Sequence, residues 1–146
     1  SAAEMYDAAV RAFEGSDGAV MCAAVADYTP DRVSDTKIKK CDGDMCITLR
    51  RTRDIAAELG AHKDGRLLVG FALETHDEQA HAEAKLEKKN FDFIVLNSLR
   101  DAGAGFRGDT NKVTFIDRAG REELPLMAKR EVAARIADKI EKFFAR

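Results

Sequence analysis

Apolar residues recur with helical spacing in the first and last segments of the chain. Tyr6, Val10 and Phe13 fall at positions i, i+4 and i+7, which predicts an amphipathic helix that ends before the turn at residues 15–18. Toward the C-terminus, apolar residues at intervals of four, four and three predict a second long helix: Val132, Ile136, Ile140 and Phe143.

Three short apolar runs between these helices predict strands: residues 19–25, 67–72 and 91–96. The first run is apolar throughout, so we expect it to be buried on both faces, as in a parallel sheet. Helices are predicted between the strands, a short one capped by Asp54 and a longer one over residues 76–89. Strands that alternate with helices indicate an α/β fold with a mainly parallel sheet.

Two further segments have the pattern of a β-hairpin. Residues 37–40 and 45–49 flank an Asp-Gly step at Gly43, where glycine tolerates a positive φ. Residues 112–116 and 122–124 bracket a second turn. We therefore expect a hairpin in each place.

The strand order suggests where a ligand would bind. Sheets of this kind bind ligands outside the carboxyl ends of their strands, which points to residues 23–37, 71–75 and 97–111. Residues 26–36 are polar and lack periodicity, so they are expected to form a loop. The chain begins with a helix, where a doubly wound nucleotide-binding fold normally begins with a strand and a Gly-rich turn.

Composition narrows the class of protein. The 146 residues are 45% hydrophobic and 34% charged, as expected for one globular domain. The 24 basic and 26 acidic residues leave a net charge of −2, which argues against broad binding to nucleic acid or a membrane surface. The sequence contains no transmembrane run and no signal-peptide pattern, and three cysteines are too few for a disulfide framework, so we expect a cytoplasmic protein.

Residues 103–108 match the dinucleotide fingerprint G-x-G-x-x-G. That fingerprint requires a helix to begin at its last glycine, whereas a β-like segment follows here. The match therefore indicates a loop beside the site rather than a dinucleotide site. His76 and His81 are five residues apart, so they do not share a helix face and no metal site is predicted.

Several charged residues each allow two interpretations, one functional and one structural. Lys85 and Lys89 are spaced i, i+4 and could hold a polyphosphate, but lysines near a helix C-terminus are also favoured by the macrodipole. Asp27 directly follows the first strand, either as a functional carboxylate or as a loop cap. Lys37 could bind a phosphate or protect an edge strand.

Five motifs occur together and in one order along nearly the whole chain: Cys-Ala-Ala-Val-Ala-Asp-Tyr at 22–28, Lys-Ile-Lys-Lys at 37–40, Val-Gly-Phe-Ala-Leu-Glu-Thr at 69–75, Lys85 with Lys89-Asn90, and Gly105-Phe106 with Asp109 and Asn111. In this combination the chain resembles bacterial phosphopantothenoylcysteine synthetase, also called phosphopantothenate–cysteine ligase, of coenzyme A biosynthesis. The resemblance implies a Rossmann-like three-layer α/β fold with a mainly parallel central sheet and a β-hairpin flap.

The resemblance also implies a reaction. The carboxylate of 4′-phosphopantothenate attacks the α-phosphate of CTP, which releases pyrophosphate and forms an acyl-cytidylate. The amine of L-cysteine then attacks the acyl carbon and releases CMP. Mg²⁺ would accompany the triphosphate. No flavin is expected in this chain, and family members are homodimers with the flap near the subunit contact.

By the same resemblance, a nucleotide site is formed by Asp27, Lys37, Asp54, Ile55, Phe71, Lys85 and Lys89. Lys37 would be catalytic, on a mobile flap over the reacting phosphate. Ala23 and Ala24 would bring backbone close to the acyl-cytidylate. The family's Asn-Pro-Asp-Ile stretch reads Thr-Arg-Asp-Ile at residues 52–55, which leaves the first two positions of that contact open.

The departures from the family are equally specific. We find no counterpart in this sequence of the family's N-terminal strand, of its Gly-rich turn or of the segment that supplies an asparagine for the second step. The decarboxylase that is often fused upstream has no counterpart either. Residues 1–146 are therefore expected to form one incomplete domain that yields no product with CTP, phosphopantothenate and cysteine. The alternatives are a non-catalytic module for nucleotide binding or dimer assembly, and an ATP-using form of the ligase.

Overall fold

A computed structural model describes residues 1–40, 42–74, 78–98 and 108–145. The elements in chain order are α1 (Ala2–Glu14), β1 (Gly18–Met21), β2 (Tyr28–Pro30), β3 (Leu49–Arg51), α2 (Ile55–Ala61), β4 (Leu67–Glu74), α3 (Glu78–Lys88), β5 (Phe93–Ser98), β6 (Thr110–Asn111), β7 (Val113–Asp117), β8 (Gly120–Glu123), β9 (Met127–Ala128) and α4 (Lys129–Phe144). In the described part of the chain, no helix is both long and apolar enough to cross a membrane.

A five-stranded sheet in the order β1-β4-β5-β7-β8 forms the centre of the fold. β1, β4 and β5 are parallel, β7 is antiparallel to β5, and β8 is antiparallel to β7. Only β7 therefore opposes the common direction, and the predicted mainly parallel α/β sheet is confirmed.

Side chains alternate between the two faces of the sheet and divide the core in two. The helices α1, α2 and α3 cover one face, where the buried residues include Phe13, Leu59, Leu68, Leu86 and Ile94. The helix α4 covers the other face, where they include Leu67, Val69, Phe93, Val132 and Ile136. The fold thus has three layers, and the amphipathic stripes predicted for α1 and α4 are confirmed.

The first strand is shorter and more exposed than its sequence predicts. It ends at Met21 rather than at residue 25, and Val20 is 43% exposed. The reason is its place at the edge of the sheet, where β4 is its one partner among the described strands. On the α4 side, no β1 residue belongs to the described core.

The first predicted hairpin is wrong in its pairing. The ladder joins β2 to β3, with Tyr28 opposite Arg51, so the expected loop at residues 26–36 contains a strand. Residues 37–40 and 45–48 lie outside the ladder, in an arm whose described residues from 31 to 48 are all exposed. No layer covers that arm in the described structure. The second predicted hairpin is confirmed, because β7 and β8 pair with each other as part of the central sheet.

The helices α2 and α3 meet in close backbone contact. Asn90 adopts a left-handed conformation, φ +51°, just after the end of α3. Its side-chain Nδ2 donates to the Gly60 carbonyl at 3.0 Å. A Cβ on Gly60 would overlap the Lys89 carbonyl oxygen, so only glycine fits there without a shift of the backbone.

This contact predicts a difference between two glycines. Gly60→Ala is expected to destabilise the protein by about 1 to 3 kcal/mol, because backbone rather than a flexible side chain must move. The matched control is Gly15→Ala, where nothing lies within 4 Å and φ is −103°. Urea unfolding followed by circular dichroism measures both, and equal midpoints for the two variants would contradict the packing constraint.

Candidate functional site

A cavity of about 140 Å³ lies at the carboxyl end of β1, beside the middle of β4 and next to α2 and α3. This is the edge at which parallel sheets bind ligands. Its lining includes seven residues selected from the sequence: Ala23, Asp27, Asp54, Ile55, Phe71, Lys85 and Lys89. The fold therefore brings these side chains together, although they come from four separate segments of the chain.

Asp54 has two roles in this cavity. Its Oδ1 accepts the backbone N–H of Ala57 at 3.1 Å and so caps α2, as the sequence predicts. Its Oδ2 lies 3.1 Å from the Lys89 Nζ. Partial burial raises the pKa of the Asp54 carboxyl, but the Ala57 hydrogen bond and the Lys89 ammonium outweigh that effect and hold the pKa below its usual 3.8. The carboxylate thus directs one lysine toward the cavity.

Lys85 and Lys89 lie one helical turn apart at the end of α3. The Lys89 N–H donates to the Lys85 carbonyl at 3.0 Å, so the helical spacing continues past Lys88. Both side chains line the cavity and are partly buried. Two ammonium groups on one side of a small cavity are suited to an anion that carries several charges.

The opposite part of the cavity wall is apolar. Phe71 is 40% exposed and Phe91 is buried. A Cβ on Gly70 would lie 2.6 Å from the Phe91 ring, so the glycine lets that ring pack directly on β4. Phe71 shares the cavity lining with two cations, and this combination suits a ligand with a flat apolar part and an anionic part.

Thr52 and Arg53 also line the cavity, and the sequence did not identify either as functional. The Thr52 hydroxyl donates to the Ala26 carbonyl at 2.7 Å, and its N–H donates to the Asp27 carbonyl at 2.9 Å. These bonds attach the loop after β1 to the start of α2. The sequence feature that could have drawn attention to these two residues is the departure from the family's Asn-Pro at positions 52 and 53.

Two selected residues lie outside this lining. Lys37 is exposed in the arm, and Ala24 is exposed beside the lining residue Ala23. The role of Lys37 as a catalytic flap residue stays a prediction. Residues 103–107 of the G-x-G-x-x-G match, like residues 75–77 before α3, lie outside the described residues.

The acidic residues of the cavity do not form a metal cage. Within the described ranges, no group of three or more His, Cys, Asp or Glu side chains is close enough to hold a metal ion. Asp54 is engaged by Ala57 and Lys89. The remaining acidic side chain of the lining, Asp27, is exposed. This donor set fits a Mg²⁺ ion that is held mainly by ligand phosphates.

Comparison with known proteins identifies the family. The profile of the DNA/pantothenate metabolism flavoprotein C-terminal domain matches residues 1–144. The chain belongs to this family. The resemblance inferred from the five sequence motifs is therefore confirmed at the level of the family.

Similar proteins carry two different names. A protein of an unknown prokaryotic organism named cysteine/cysteine sulfinic acid decarboxylase is 56% identical over 142 residues, which are 96% of this chain and 40% of that protein. The coenzyme A biosynthesis bifunctional protein CoaBC of Bacillus subtilis is 47% identical over 141 residues, 96% of this chain and 35% of its own length. The chain thus spans about two fifths or less of these relatives.

A solved structure supports the fold independently. The crystal structure of the C-terminal domain of a coenzyme A biosynthesis bifunctional protein CoaBC has a TM-score of 0.79 and 38% identity. The match covers 99% of this chain and 63% of the other. The expected Rossmann-like three-layer architecture is thereby confirmed.

The two roles of Asp54 can be separated by substitution. Asp54→Ala removes both the helix cap and the ion pair, and is expected to cost about 1 kcal/mol or somewhat more. Asp54→Asn keeps a capping side chain and removes the charge, so it is expected to cost less than about 1 kcal/mol.

The loss of stability caused by Asp54→Asn is expected to depend on pH. Because the folded pKa of Asp54 is lowered, its charge stabilises the fold above 3.8, and this contribution is lost as pH falls through the folded pKa. The difference in unfolding free energy between wild type and Asp54→Asn, measured from pH 7 to pH 3, should narrow toward the acid end. A constant difference over that range would contradict the ion-pair role.

Proposed function

We propose that this domain binds CTP in the cavity and takes part in the ligation of 4′-phosphopantothenate to L-cysteine through an acyl-cytidylate. The observation that supports this most is that Lys85, Lys89 and Phe71 line one cavity. Family membership and relatives named for coenzyme A biosynthesis support the same substrates.

In the first step, the pantothenate carboxylate attacks the α-phosphorus of CTP and pyrophosphate leaves. Negative charge moves onto the departing phosphates, so fixed cations near them lower the barrier. Lys85 and Lys89 are the cations proposed for this role. Because Asp54 holds Lys89 from one side, that ammonium is already oriented when the nucleotide arrives.

In the second step, the amine of L-cysteine attacks the acyl carbon, an amide bond forms and CMP leaves. We assign Ala23 and Ala24 to this stage, because small side chains let backbone approach the acyl-cytidylate closely. Ala23 lines the cavity, and Ala24 follows it directly. Phe71 would lie against the nucleotide, with Ile55 part of the same wall.

Mg²⁺ bound with the triphosphate would neutralise phosphate charge, and Asp27 is the carboxylate proposed to approach it. Asp27 is carried by the loop that Thr52 fixes through two hydrogen bonds. Asp54 is less suited to a metal because Lys89 already occupies its second oxygen.

The exposed arm favours a second candidate, a module that assembles homodimers. Among its apolar side chains, Val33 is 87% exposed and Ile38 is 66% exposed. Burial of such residues in a second copy would remove apolar surface from water. Nucleotide titration separates the candidates: preference for CTP supports the proposed ligase, preference for ATP supports the ATP-using form, and absence of binding favours the assembly role.

The proposed phosphate site predicts the effect of removing one ammonium. Lys85→Gln and Lys89→Gln are each expected to weaken CTP binding roughly tenfold or more, because each removes a charged hydrogen bond. Isothermal titration calorimetry with Mg²⁺ present measures the affinity. Lys88→Gln is the control, since it changes charge equally on the same helix but is exposed and outside the cavity lining.

Affinities of the Lys85 and Lys89 variants equal to that of Lys88→Gln would refute the phosphate site. Circular dichroism of each variant confirms that the helix is retained. Lys89→Gln also breaks the contact with Asp54, so part of its effect comes from the loss of that ion pair.

Lys37 is exposed in the arm and does not line the cavity in this structure, so we assign it to the chemical step rather than to binding in the cavity. In a complete synthetase that carries this domain, Lys37→Gln is expected to reduce acyl-cytidylate formation at least about a hundredfold. Rapid-quench detection of the intermediate measures this. Lys40→Gln, an exposed lysine of the same arm, should react at the wild-type rate, and an unchanged rate for Lys37→Gln would remove Lys37 from the mechanism.

A further inference from the structure

Arg53 lies at the cavity between β3 and α2, and two residues of α1 hold it there. Its Nη2 donates to the Asp7 Oδ1 at 2.7 Å. Its Cζ lies 3.7 Å from the centroid of the Tyr6 ring. The guanidinium is therefore fixed on one face by an aromatic ring and at one edge by a carboxylate.

The Tyr6 ring is itself held in place. Burial and a hydrogen bond to Glu58 raise the pKa of Tyr6, so its hydroxyl is neutral and donates to that carboxylate. A ring that is attached at its hydroxyl forms a stable platform for stacking. Arg53 thus has a defined orientation although about half of its side chain is exposed to solvent.

The contact with α1 uses only part of the donor capacity of Arg53. A guanidinium carries five N–H donors in a planar fork, and its hydrogen bonds to Asp7 and to the Tyr6 side chain leave part of that fork unused. Arg53 lines the same cavity as Lys85 and Lys89, so a ligand in that cavity could reach the remaining donors. Arginine forms paired hydrogen bonds with phosphate oxygens, which a lysine cannot reproduce.

The ion pair with Asp7 does not by itself account for this placement. Asp7 and Arg53 are both more than half exposed, and ion pairs of that kind contribute little to folding. Arg50 shows the contrast within the same segment: it lies 3.9 Å from Asp31, it is exposed, and it is outside the cavity lining. Arg53 differs from it by the stacked ring and by its position at the cavity.

We propose that Arg53 is a phosphate-binding residue of this cavity, positioned by Tyr6 and Asp7, which contacts ligand phosphate oxygens together with Lys85 and Lys89. This inference rests on the proposed function of the cavity as a nucleotide site. The phosphate belongs either to the nucleotide tail or to the phosphate monoester of the acyl substrate. Both present tetrahedral oxygens of the same chemistry.

The test compares Arg53→Gln, Arg53→Lys and the control Arg50→Gln by titration calorimetry of the 146-residue chain. The probes are CTP, CMP, inorganic pyrophosphate and 4′-phosphopantothenate, each with Mg²⁺. Arg53→Gln is expected to lose at least tenfold in affinity for one class of phosphate probe. Arg53→Lys should recover part of the loss, because it keeps the charge without the fork, and Arg50→Gln should match wild type.

The probes distinguish the source of the phosphate. A loss confined to CTP and pyrophosphate assigns Arg53 to the nucleotide tail, a loss that extends to CMP assigns it to the α-phosphate, and a loss confined to phosphopantothenate assigns it to the acyl substrate. Each of these results supports the inference. Arg53→Lys provides the decisive comparison if Arg53→Gln does not fold.

Two results would overturn it. If wild type binds CTP and Arg53→Gln binds every probe with the wild-type affinity, Arg53 only joins α1 to α2. The proposed function then stands. If Arg53→Gln does not fold, wild-type affinity of Arg53→Lys for every probe overturns the paired contact with phosphate, because a lysine cannot form it. If wild type binds none of the probes, the proposed function and this inference fail together.

Discussion

Asn90 adopts a left-handed backbone conformation, and its polar atoms connect three other parts of the fold. Its Nδ2 donates to the Gly60 carbonyl, its own carbonyl accepts from the Lys63 Nζ at 2.9 Å, and its Oδ1 accepts from Arg118 at 3.2 Å. Lys89 precedes this turn and Phe91 follows it, and both line the cavity. The turn that ends α3 therefore also positions a cation and an aromatic wall of the candidate site.

The same segment fixes the start of the next strand. Asp92 lies 2.8 Å from the Lys63 ammonium, and both side chains are largely buried at 15% and 13% exposure. The other oxygen of Asp92 accepts the Leu68 N–H at 2.7 Å, which joins the beginning of β5 to β4. Loss of one partner would leave a nearly buried charge uncompensated, which is strongly unfavourable. The amino-terminal end of β5 is thus tied to β4 by charged contacts, directly after the cavity residue Phe91.

Sequence periodicity correctly predicted helices that pack one face against the central sheet. The stripe of Val132 and Ile136 identified α4, because a helix on a sheet must bury one face. The same reasoning failed for residues 19–25, since an apolar run does not reveal which strand lies at an edge. It failed again for the arm after β2, where Asp-Gly chemistry at Gly43 identified a turn but not the strands that pair.

The site was only partly predictable for a related reason. The strand-end rule selected Asp27 correctly as a cavity residue, but the lysines of α3 were ambiguous until the motifs were considered together. The roles of Thr52 and Arg53 stayed open, because they come from contacts with Ala26 and Tyr6 that are 26 and 47 residues away in sequence. Local pattern contains no information about such distant partners.

Charge compensation explains how a chain of net charge −2 can present a cation-rich cavity. Lys89 is paired with Asp54, and Arg53 with Asp7. These internal carboxylates orient the cations and limit their mutual repulsion before any ligand binds. A bound polyphosphate would compete with Asp54 for the Lys89 ammonium and would use the Arg53 donors that Asp7 leaves unused. Its affinity therefore reflects the difference between phosphate and carboxylate contacts rather than the number of cations alone.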